Sequence, residues 1–542
     1  MNNFCVIIPA IKKNVAFPDD LVKKLNGTTL VQRAIYKAKE LTEGKNIIVI
    51  TDSEEISLIC KREIVRYELE SSLKLGNANL IQELKGFLLR VCRPFRNVII
   101  LWPYLPLIDK DEIVKAYNMF CKRKTDILFT LKEENHKVYK GTSSSINNLF
   151  FSKIKDRQFV ESKAFIIFRS CLLNNISEAN NIKNLRIFLF KLNSETIEIK
   201  NYQDWWICEK LLQRKRIVFR VAGGKEVGMG HIYRCLTLAH EITDHEIYFV
   251  CDEKNHVAVN KIAGSDYKVE TAKKTGIPEK IISLKPDLVI NDILNTDKGY
   301  VLKLKSEGIK VVNFEDLGLG ASFADLTINE LYEDPRIEGN NIKWGNRFLF
   351  LRDEFTHARP NKFRGKVNSL LITFGGTDVN NLTLKTLDAI DDFCNSENVH
   401  INIVAGQGYL HKNELSNYLA KKNSSNIEFI SATDTISEIM EKTQIAISSN
   451  GRTIYELYHM KIPSIIISQH KRERDHSFAK RENGFLKLEF HNGKPTGEMI
   501  LSRLKFLVNG SKSRKELFEN MNRYNFLKNK EKVVKTILAL LK

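Results

Sequence analysis

The sequence predicts an α/β protein built from Rossmann-like domains, and three observations support this fold class. Short apolar segments typical of buried strands alternate with helix-patterned segments along the chain. Two of these strands, residues 216–221 and 369–374, run into glycine-rich loops that are followed by helices. Polar side chains stand directly after several other strands, which is where open parallel sheets bind their ligands. We therefore expect a ligand cleft along the carboxyl ends of the strands.

Length and composition limit the class of protein. A chain of 542 residues is too long for one compact core, so two or three domains are expected. No apolar run reaches the roughly 18 residues of a membrane span, and the N-terminal FCVIIPA is typical of a strand rather than of a signal peptide. The nine cysteines are scattered without CxxC pairs, which indicates reduced thiols in a cytoplasmic protein.

The charge balance is basic, with 84 Lys and Arg residues against 65 Asp and Glu, a net charge of +19. A basic protein can bind nucleic acid, an anionic membrane surface or phosphorylated small molecules. The lysines are spread along the chain, and no RNA-recognition, zinc-finger or helix-turn-helix pattern is present. We therefore expect no nucleic-acid partner, and a solvated surface that also suits an anionic small-molecule substrate.

His231 stands where a glycine-rich loop becomes a helix, in the stretch 220–239, RVAGGKEVGMGHIYRCLTLA. Backbone N–H groups at such a junction point towards an anion. An imidazole there is a candidate catalytic base or phosphate contact. The alternative is a loop histidine that only caps or packs. The spacing lacks the third glycine of the dinucleotide-binding fingerprint.

The motif G-x-G-H-x-x-R-C-L-x-L-A, which begins at Gly228, closely resembles the UDP-sugar hydrolase of pseudaminic-acid biosynthesis, a relative of the GT-B glycosyltransferases. The resemblance covers residues 216–488, about half the chain. It implies a catalytic base at His231 and makes Gly228, Gly230 and Arg234 candidates for substrate or nucleotide binding.

Three further catalytic candidates, Asp292, Asp316 and Asn329, stand at or just after the ends of predicted strands. Strand ends of a parallel sheet meet along one crevice, so these side chains could contact the sugar or orient His231. For each of them, helix capping is the alternative interpretation.

A second half follows, as the GT-B pattern requires. The segment FGGTDVNNLT from Phe374 resembles the family's F-G-G-x-D-x-x-N-L-T, which implies that the glycine loop and the helix after it hold the diphosphate. Glu456 is the expected ribose ligand, because related GT-B proteins place a helix glutamate there. The nucleotide-binding candidates of this half are Gly375, Gly376, Thr377, Asp378, Ser449, Asn450, Gly451, Glu456 and Gln469.

The sequence departs from the hydrolase family after the strand at residues 463–468. The family ends this strand with an Asn-Gln pair that faces the catalytic histidine. Here Gln469 and His470 occupy the place, and we take His470 as a further catalytic candidate. The departure leaves the substrate and the reaction open.

The N-terminal part, residues 1–212, resembles the CMP-sialic acid synthetase (cytidylyltransferase) family in IIPA, LNGTTLVQRAI, LWPYLPLIDKDEI and the closing IEIKNYQDWW. The family's triphosphate and metal ligands have been replaced. Residues 11–15 (IKKNV) stand for R-x-G-S-K, Ile108 for an arginine and Lys200 for a metal-binding aspartate, although Asp204 is retained. We expect a degenerate, non-catalytic domain.

Together these patterns predict a cytidylyltransferase-like domain at 1–212 and a GT-B-like pair at 216–360 and 361–542, the last ending in a helical tail. The expected activity is cleavage of a UDP-linked amino sugar at its anomeric carbon, in nonulosonic acid synthesis for surface glycans. A glycosyltransferase, a bifunctional protein that retains CMP-sugar synthesis and a silent scaffold remain alternatives. We expect no metal and no cofactor. The sequence leaves open pathway enzymes or a second copy of the chain as protein partners.

Overall fold

The computed structural model describes residues 3–12, 17–69, 85–134, 158–175, 185–192, 196–223, 229–406, 408–422, 426–431, 433, 435–488 and 497–542. The chain divides into two compact units, Met1–Arg214 and Lys215–Lys542. Each unit is described by itself below. In the described residues no helix is both long enough and apolar enough to cross a membrane.

The first unit contains a mixed sheet with the strand order β5-β4-β1-β6-β8-β7-β9 and a small separate hairpin, β2-β3. Strand β8 is antiparallel to β6 and β7, and the remaining pairs of the large sheet are parallel. The strands are β1 (Phe4–Ala10), β2 (Lys24–Leu25), β3 (Thr28–Thr29), β4 (Ile47–Thr51), β5 (Arg66–Leu69), β6 (Asn97–Leu101), β7 (Ile127–Glu134), β8 (Gln158–Arg169) and β9 (Ile187–Lys191).

Helices follow the parallel strands of this unit and cover its sheet. The first helix begins at a capping box, in which the Thr29 side chain accepts from the Gln32 backbone and Gln32 reaches back to Thr29. The helices are α1 (Leu30–Lys39), α2 (Glu54–Arg62), α3 (Lys85–Cys92), α4 (Lys110–Lys122), α5 (Leu172–Asn175) and α6 (Tyr202–Gln213). Strand β1 is buried along its whole length, as expected for the centre of a sheet covered on both faces.

The second unit contains two parallel sheets. The first has the order β12-β11-β10-β13-β14-β15-β16, and every neighbouring pair is parallel. Its strands are β10 (Arg216–Val221), β11 (Glu246–Asp252), β12 (Lys268–Ala272), β13 (Leu288–Asp292), β14 (Lys310–Phe314), β15 (Leu326–Asn329) and β16 (Ile342–Trp344). Its helices are α7 (Gly230–Glu241), α8 (His256–Ala263), α9 (Ile277–Ser283), α10 (Lys298–Ser306) and α11 (Glu354–His357).

The second sheet of this unit has the order β19-β18-β17-β20-β21-β22 and is also parallel throughout. Its strands are β17 (Ser369–Thr373), β18 (His400–Ala405), β19 (Ile427–Ser431), β20 (Ile445–Ser448), β21 (Ser464–Ile467) and β22 (Phe485–Leu488). The helices are α12 (Leu382–Ser396), α13 (Lys412–Lys422), α14 (Ile436–Met440), α15 (Thr453–His459), α16 (Lys471–Arg474), α17 (Gly497–Asn509), α18 (Ser511–Asn520) and α19 (Asn529–Leu538).

These sheets confirm the predicted fold class: a Rossmann-like domain precedes two further Rossmann-like sheets of the GT-B kind. In both sheets of the second unit the strand order reverses beside the first strand, β10 or β17, which creates the crevice where open α/β sheets bind ligands. The last helix crosses back to the first of these sheets, because Val533, Val534 and Ile537 are buried with Ile217 and Phe219. The three-domain division at 212 and 360 remains our proposal.

Candidate functional site

The site lies in the second unit, where α7 begins beside the end of strand β13. Gly230 is the first residue of α7, and His231 is the second. Met229, the residue before the helix, makes no side-chain cap, and within the described residues no other side chain caps this helix start, where backbone N–H groups can bind an anion. His231 is only 7% exposed, and its Nδ1 lies 2.5 Å from Oδ1 of Asp292, the last residue of β13.

A buried charge cluster surrounds this pair, and we call it the Arg234 cluster. Arg234 lies one helical turn after His231 and binds three carboxylates. Its Nε and Nη2 donate to Asp292 at 2.7 and 2.5 Å, and its Nη1 donates to Glu315 at 2.8 Å and to Glu330 at 2.7 Å. All four side chains are nearly or completely buried, so each charge depends on the others.

Arg234 keeps the carboxylates of this cluster ionised. Burial alone would raise the pKa of Asp292, but Arg234, together with the hydrogen bond from His231, lowers it well below its usual range. Burial also acts to raise the pKa of Glu315, but the surrounding positive charge, led by Arg234, lowers it overall. The site therefore holds fixed negative charges directly behind His231.

The position of Asp292 sets the tautomer of His231. Two groups lie near Nδ1: the Asp292 carboxylate at 2.5 Å, which can only accept, and Arg234 Nη2 at 3.1 Å, which can only donate. We assign the hydrogen to Nδ1 because the carboxylate contact is the shorter one. The lone pair of the neutral ring then resides on Nε2. Since His231 lines the main cavity of the unit, this nitrogen is available to a bound water or substrate.

The main cavity has a volume of about 470 Å³, within the range of small-molecule sites. Residues of both parallel sheets and their loops line it, including His231, Glu315, Gly375 and Gln469. A smaller neighbouring cavity of about 140 Å³ is lined by Tyr233, Arg352, Glu456 and others. Both cavities are bordered by the same six residues, Met229, Gly230, Gly375, Gly376, Arg452 and Thr453.

Arg452 supplies a cation at the junction of the two cavities. It is paired with Glu330 of the Arg234 cluster, and its Nη2 donates to the Phe350 carbonyl at 2.7 Å. Burial, followed by repulsion from Arg234, lowers the pKa of Arg452 to about 10. The junction therefore combines glycine loops, the open start of α7 and a guanidinium, which is an arrangement suited to a diphosphate.

The backbone around the main cavity is strained at several non-glycine residues. Leu294 and Glu315 both line it with positive φ, at 66° and 49°. Such conformations cost of order 1–3 kcal/mol and cluster at functional sites. In the glycine loop, Gly375 has a φ of 78°, and a Cβ built on it would meet nothing within 4 Å. Gly406 lets its own backbone pack closely against the glycine loop, because a Cβ on Gly406 would lie 2.6 Å from the Gly376 Cα.

The helix after the glycine loop differs from the sequence expectation. Both carboxylate oxygens of Asp378 accept from the first backbone N–H groups of α12, Leu382 and Thr383, at 2.8 Å each. The helix start is thus already occupied by a protein carboxylate, and Asp378 does not line either cavity. The open helix start at the junction is that of α7.

The structure brings most of the predicted site residues to the cavities. Gln469 is held by its Nε2, which donates to the Phe374 carbonyl at 2.7 Å, and Glu456 accepts from Arg352 Nε at 2.8 Å. The predicted residues that line one or both cavities are Gly230, His231, Arg234, Gly375, Gly376, Thr377, Ser449, Gly451, Glu456, Gln469 and His470.

Several other predicted site residues are bound to protein groups and do not line the cavities. Asp316 accepts from Thr296 Oγ1 at 2.5 Å and from Asn313 Nδ2 at 2.7 Å, and Asn329 donates to the Asp316 carbonyl at 2.9 Å. Neither one lines the cavities, and Asn450 does not line them either. Asp292 contacts His231 and Arg234 and does not line either cavity. Gly228 lies outside the described residues.

Sequence reasoning missed several residues that shape the site. Glu315 and Glu330 are adjacent in sequence to the candidates Asp316 and Asn329, and they, not those candidates, bind Arg234. Arg452, Glu473 and His476 were also missed. A buried guanidinium needs carboxylate partners. Asking which strand-end carboxylates could pair with a buried arginine would therefore have identified the two glutamates.

In the described part of the first unit, the positions that hold ligands in the cytidylyltransferase family it resembles have other roles. Lys200 Nζ pairs with Glu198 at 3.1 Å, and the Asp204 carboxylate accepts from the Lys200 backbone N–H at 2.9 Å. Ile108 is buried in the core. Within the described residues no three His, Cys, Asp or Glu side chains are grouped to hold a metal ion. The residues at these positions do not fit the Mg²⁺ that a cytidylyltransferase requires.

Comparison with known proteins supports both sequence resemblances. Residues 369–480 match the family described as Glycosyltransferase family 28 C-terminal domain. The chain is 28% identical over 278 residues to uncharacterized protein MJ1062 of Methanocaldococcus jannaschii, covering 48% of this chain and 57% of that protein. It is 28% identical over 266 residues to the spore coat polysaccharide biosynthesis protein SpsG of Bacillus subtilis, covering 46% of this chain and 75% of the relative.

A third relative has a two-part name. It is the pseudaminic acid cytidylyltransferase and UDP-2,4-diacetamido-2,4,6-trideoxy-beta-L-altropyranose hydrolase of Helicobacter pylori, 26% identical over 385 residues, covering 67% of each chain. The match is longer than either unit, so it reaches into both. The predicted resemblance to these two kinds of protein is confirmed. The chain spans little more than half the length of MJ1062, so its activity and substrate are treated as proposals.

Proposed function

We propose that the chain hydrolyses a UDP-linked amino sugar at its anomeric carbon, releasing UDP and the free sugar, in the biosynthesis of a nonulosonic acid for surface glycans. The observation that carries this proposal is the His231–Asp292 pair, whose free Nε2 belongs to a residue of the main cavity. The name of the Helicobacter pylori relative supports the same chemistry.

The chemical step requires a base and a stabilised leaving group. His231 Nε2 takes a proton from water as the water oxygen attacks the anomeric carbon. The bond between that carbon and the β-phosphate oxygen breaks, and its electron pair leaves with UDP. Asp292 stabilises the imidazolium that forms and keeps the ring oriented through Nδ1, which is the role of the acid in a catalytic triad.

The leaving diphosphate gains negative charge as the bond breaks, and the junction of the two cavities is built to receive it. Arg452, the glycine loop at Gly375 and Gly376, and the open start of α7 all border this junction. Preorganised donors at the site of developing charge are a major source of rate enhancement. The nucleoside then occupies the smaller cavity. There Glu456 is the ribose ligand, and Arg352 Nε donates to one carboxylate oxygen of Glu456.

A glycosyltransferase is the second candidate, favoured by the match of residues 369–480 to a glycosyltransferase domain. The same cavity would pass the sugar to an alcohol instead of to water, and the fold supports both reactions. Incubation of the purified chain with a panel of UDP-amino sugars, without any acceptor, separates the two. Release of UDP supports the hydrolase, whereas release only after an alcohol is added supports the transferase.

The substitution His231→Asn tests the base assignment. Its amide nitrogen can replace Nδ1 and keep the bond to Asp292, but nothing replaces Nε2. We expect UDP release to slow by about 10²- to 10⁴-fold, with an unchanged dissociation constant for UDP. His240→Asn is the matched control, because His240 lies on the same helix with an exposed side chain. Activity within a few-fold of the parent chain would remove His231 from the mechanism. An equal loss of UDP binding would make it a phosphate contact.

A further inference from the structure

The main cavity contains a second imidazole, His476, whose surroundings are as defined as those of His231. His476 lies two residues after the end of helix α16 and is 6% exposed. Its ring packs edge-on against Tyr332, with 5.1 Å between the ring centroids. His476 lines the same cavity as His231, and no step proposed above uses it.

The hydrogen bonds of His476 fix which nitrogen carries its proton. Its Nδ1 lies 2.6 Å from the backbone carbonyl oxygen of Asn450. A carbonyl oxygen only accepts, so Nδ1 is the donor, and the lone pair of the neutral ring is on Nε2. That Nε2 is buried and has no hydrogen-bond partner in the described part of the chain. An unpaired buried acceptor is costly, and such groups in native proteins call for an explanation.

The ring is also fixed in place. The Asn450 amide nitrogen donates to the carbonyl of Glu473 at 2.6 Å and to that of His476 at 3.1 Å. Asn450 therefore clamps the backbone before His476 and the residue itself. Burial lowers the pKa of His476 below its usual value, although Glu315 opposes this shift, so the ring favours the neutral form.

Nε2 of His476 is a buried acceptor without a partner in the described residues, so a ligand bound beside it has to supply a hydrogen-bond donor. The diphosphate of a nucleotide sugar offers only acceptors at neutral pH and belongs at the junction beside Arg452. The sugar is the part of the substrate that lies beside His231. Its ring carries the hydroxyl and amide groups that can donate to a neutral imidazole.

We propose that Nε2 of His476 accepts a hydrogen bond from an O–H or amide N–H of the sugar, so that His476 selects sugars with a donor at that position. This inference rests on the proposed function, because it assigns the His231 end of the cavity to the sugar. It gives Asn450 a positioning role, which accounts for an amide that does not itself reach the cavity.

Two substitutions of His476 test the roles of its two ring nitrogens separately. His476→Asn places an amide where Nδ1 was and can keep the bond to Asn450, but it removes the Nε2 acceptor. His476→Gln extends an amide oxygen towards the Nε2 position and loses the Nδ1 bond. Both are made in the His231→Asn background, so that the ligand is not consumed, and thermal unfolding with and without UDP shows that each variant is folded.

The experiment measures dissociation constants for UDP, UDP-glucose and UDP-N-acetylglucosamine by calorimetry. We expect His476→Asn to leave UDP affinity unchanged and to weaken at least one UDP-sugar by about tenfold. His476→Gln should recover part of that loss. A loss confined to UDP-N-acetylglucosamine identifies an amide N–H as the donor, whereas a loss for both sugars identifies a hydroxyl.

An equal loss for UDP and for the UDP-sugars would overturn the inference, because it would make His476 structural. Unchanged affinity for both sugars, or a parent chain that binds them no differently from UDP, would also overturn it. These outcomes are separable from the proposed function. A chain that never releases UDP, yet loses sugar affinity on His476→Asn, retains this inference and loses the hydrolase assignment.

Discussion

The two units have the same kind of fold, but a charged cluster near a strand end is exposed in the first unit and buried in the second. In the first unit, Lys12 follows β1 and pairs with Asp19 at 2.8 Å and with Glu55 at 3.1 Å, all three side chains remaining partly or largely exposed. In the second unit, Arg234 is completely buried against three carboxylates. The charges around Lys12 are solvated, and those around Arg234 are enclosed.

This difference shows which of the two units contains an energetically costly arrangement of charges. Replacing a buried ion cluster with apolar residues is often neutral or stabilising, so such a cluster is weak evidence for stability. Its position directly behind a cavity histidine, with ionised carboxylates and a strained Glu315, favours a functional role. Exposed pairs such as those of Lys12 contribute little.

The largest effect that separates the units is expected from matched substitutions of the two cations. Arg234→Met leaves Asp292, Glu315 and Glu330 buried with less compensation, so we expect the free energy of unfolding to fall by about 3–5 kcal/mol. Lys12→Met removes only exposed pairs and should change it by less than about 1 kcal/mol. Chemical denaturation of each variant measures both values.

Equal losses for the two substitutions would contradict the comparison. Should Arg234→Met fail to fold, Glu330→Gln provides a milder version, because it removes one carboxylate and leaves Arg234 bound to Asp292. That variant should also change the free energy of unfolding by more than Lys12→Met does.

Much of the fold could be predicted from the sequence, because alternating strands and helices and the two glycine loops are local patterns. His231 could be predicted for the same reason, since loop and helix meet at one residue. The choice between Glu315 and Asp316 could not. Both follow β14, but Glu315, which has a positive φ, binds Arg234, whereas Asp316 binds Thr296 and Asn313.

Glu473 and His476 were missed for a different reason. They lie in the charged segment 469–476, QHKRERDH, which is typical of a solvated loop. Their burial comes from Asn450, more than 20 residues away, which binds the backbone carbonyl of both. A long-range clamp of this kind leaves no periodic pattern in the sequence.

Glu473 provides a test of intermediate size. Its carboxylate accepts from the Gln469 backbone N–H at 2.6 Å, and burial raises its pKa from 4.5 to about 7. A raised folded-state pKa favours folding fully below the unfolded value of 4.5, and this contribution is lost as the pH rises through 7. Glu473→Gln keeps the acceptor and stays neutral at every pH.

We therefore expect Glu473→Gln to match the parent chain near pH 4.5 and to exceed its free energy of unfolding by about 2–3 kcal/mol above pH 7. Denaturation curves at several pH values measure this difference. Glu482→Gln is the control, because that side chain is exposed. A constant difference between Glu473→Gln and the parent chain would contradict the prediction, because it would mean that burial does not raise the pKa of Glu473.

The smallest expected effect is the absence of cytidylyl transfer in the first unit. The full chain, with CTP, Mg²⁺ and a nonulosonic acid, should release no pyrophosphate above background, because Lys12 is neutralised by two carboxylates and Lys200 stands where a metal-binding aspartate is needed. Coupled detection of pyrophosphate measures this, and UDP binding by the same preparation shows that the protein is folded. Turnover near the usual enzymatic range, roughly 1–10³ s⁻¹, would mean that the first unit retains a working triphosphate site. The contrast between the two units would then lie in how each holds its charges, and not in whether each one catalyses.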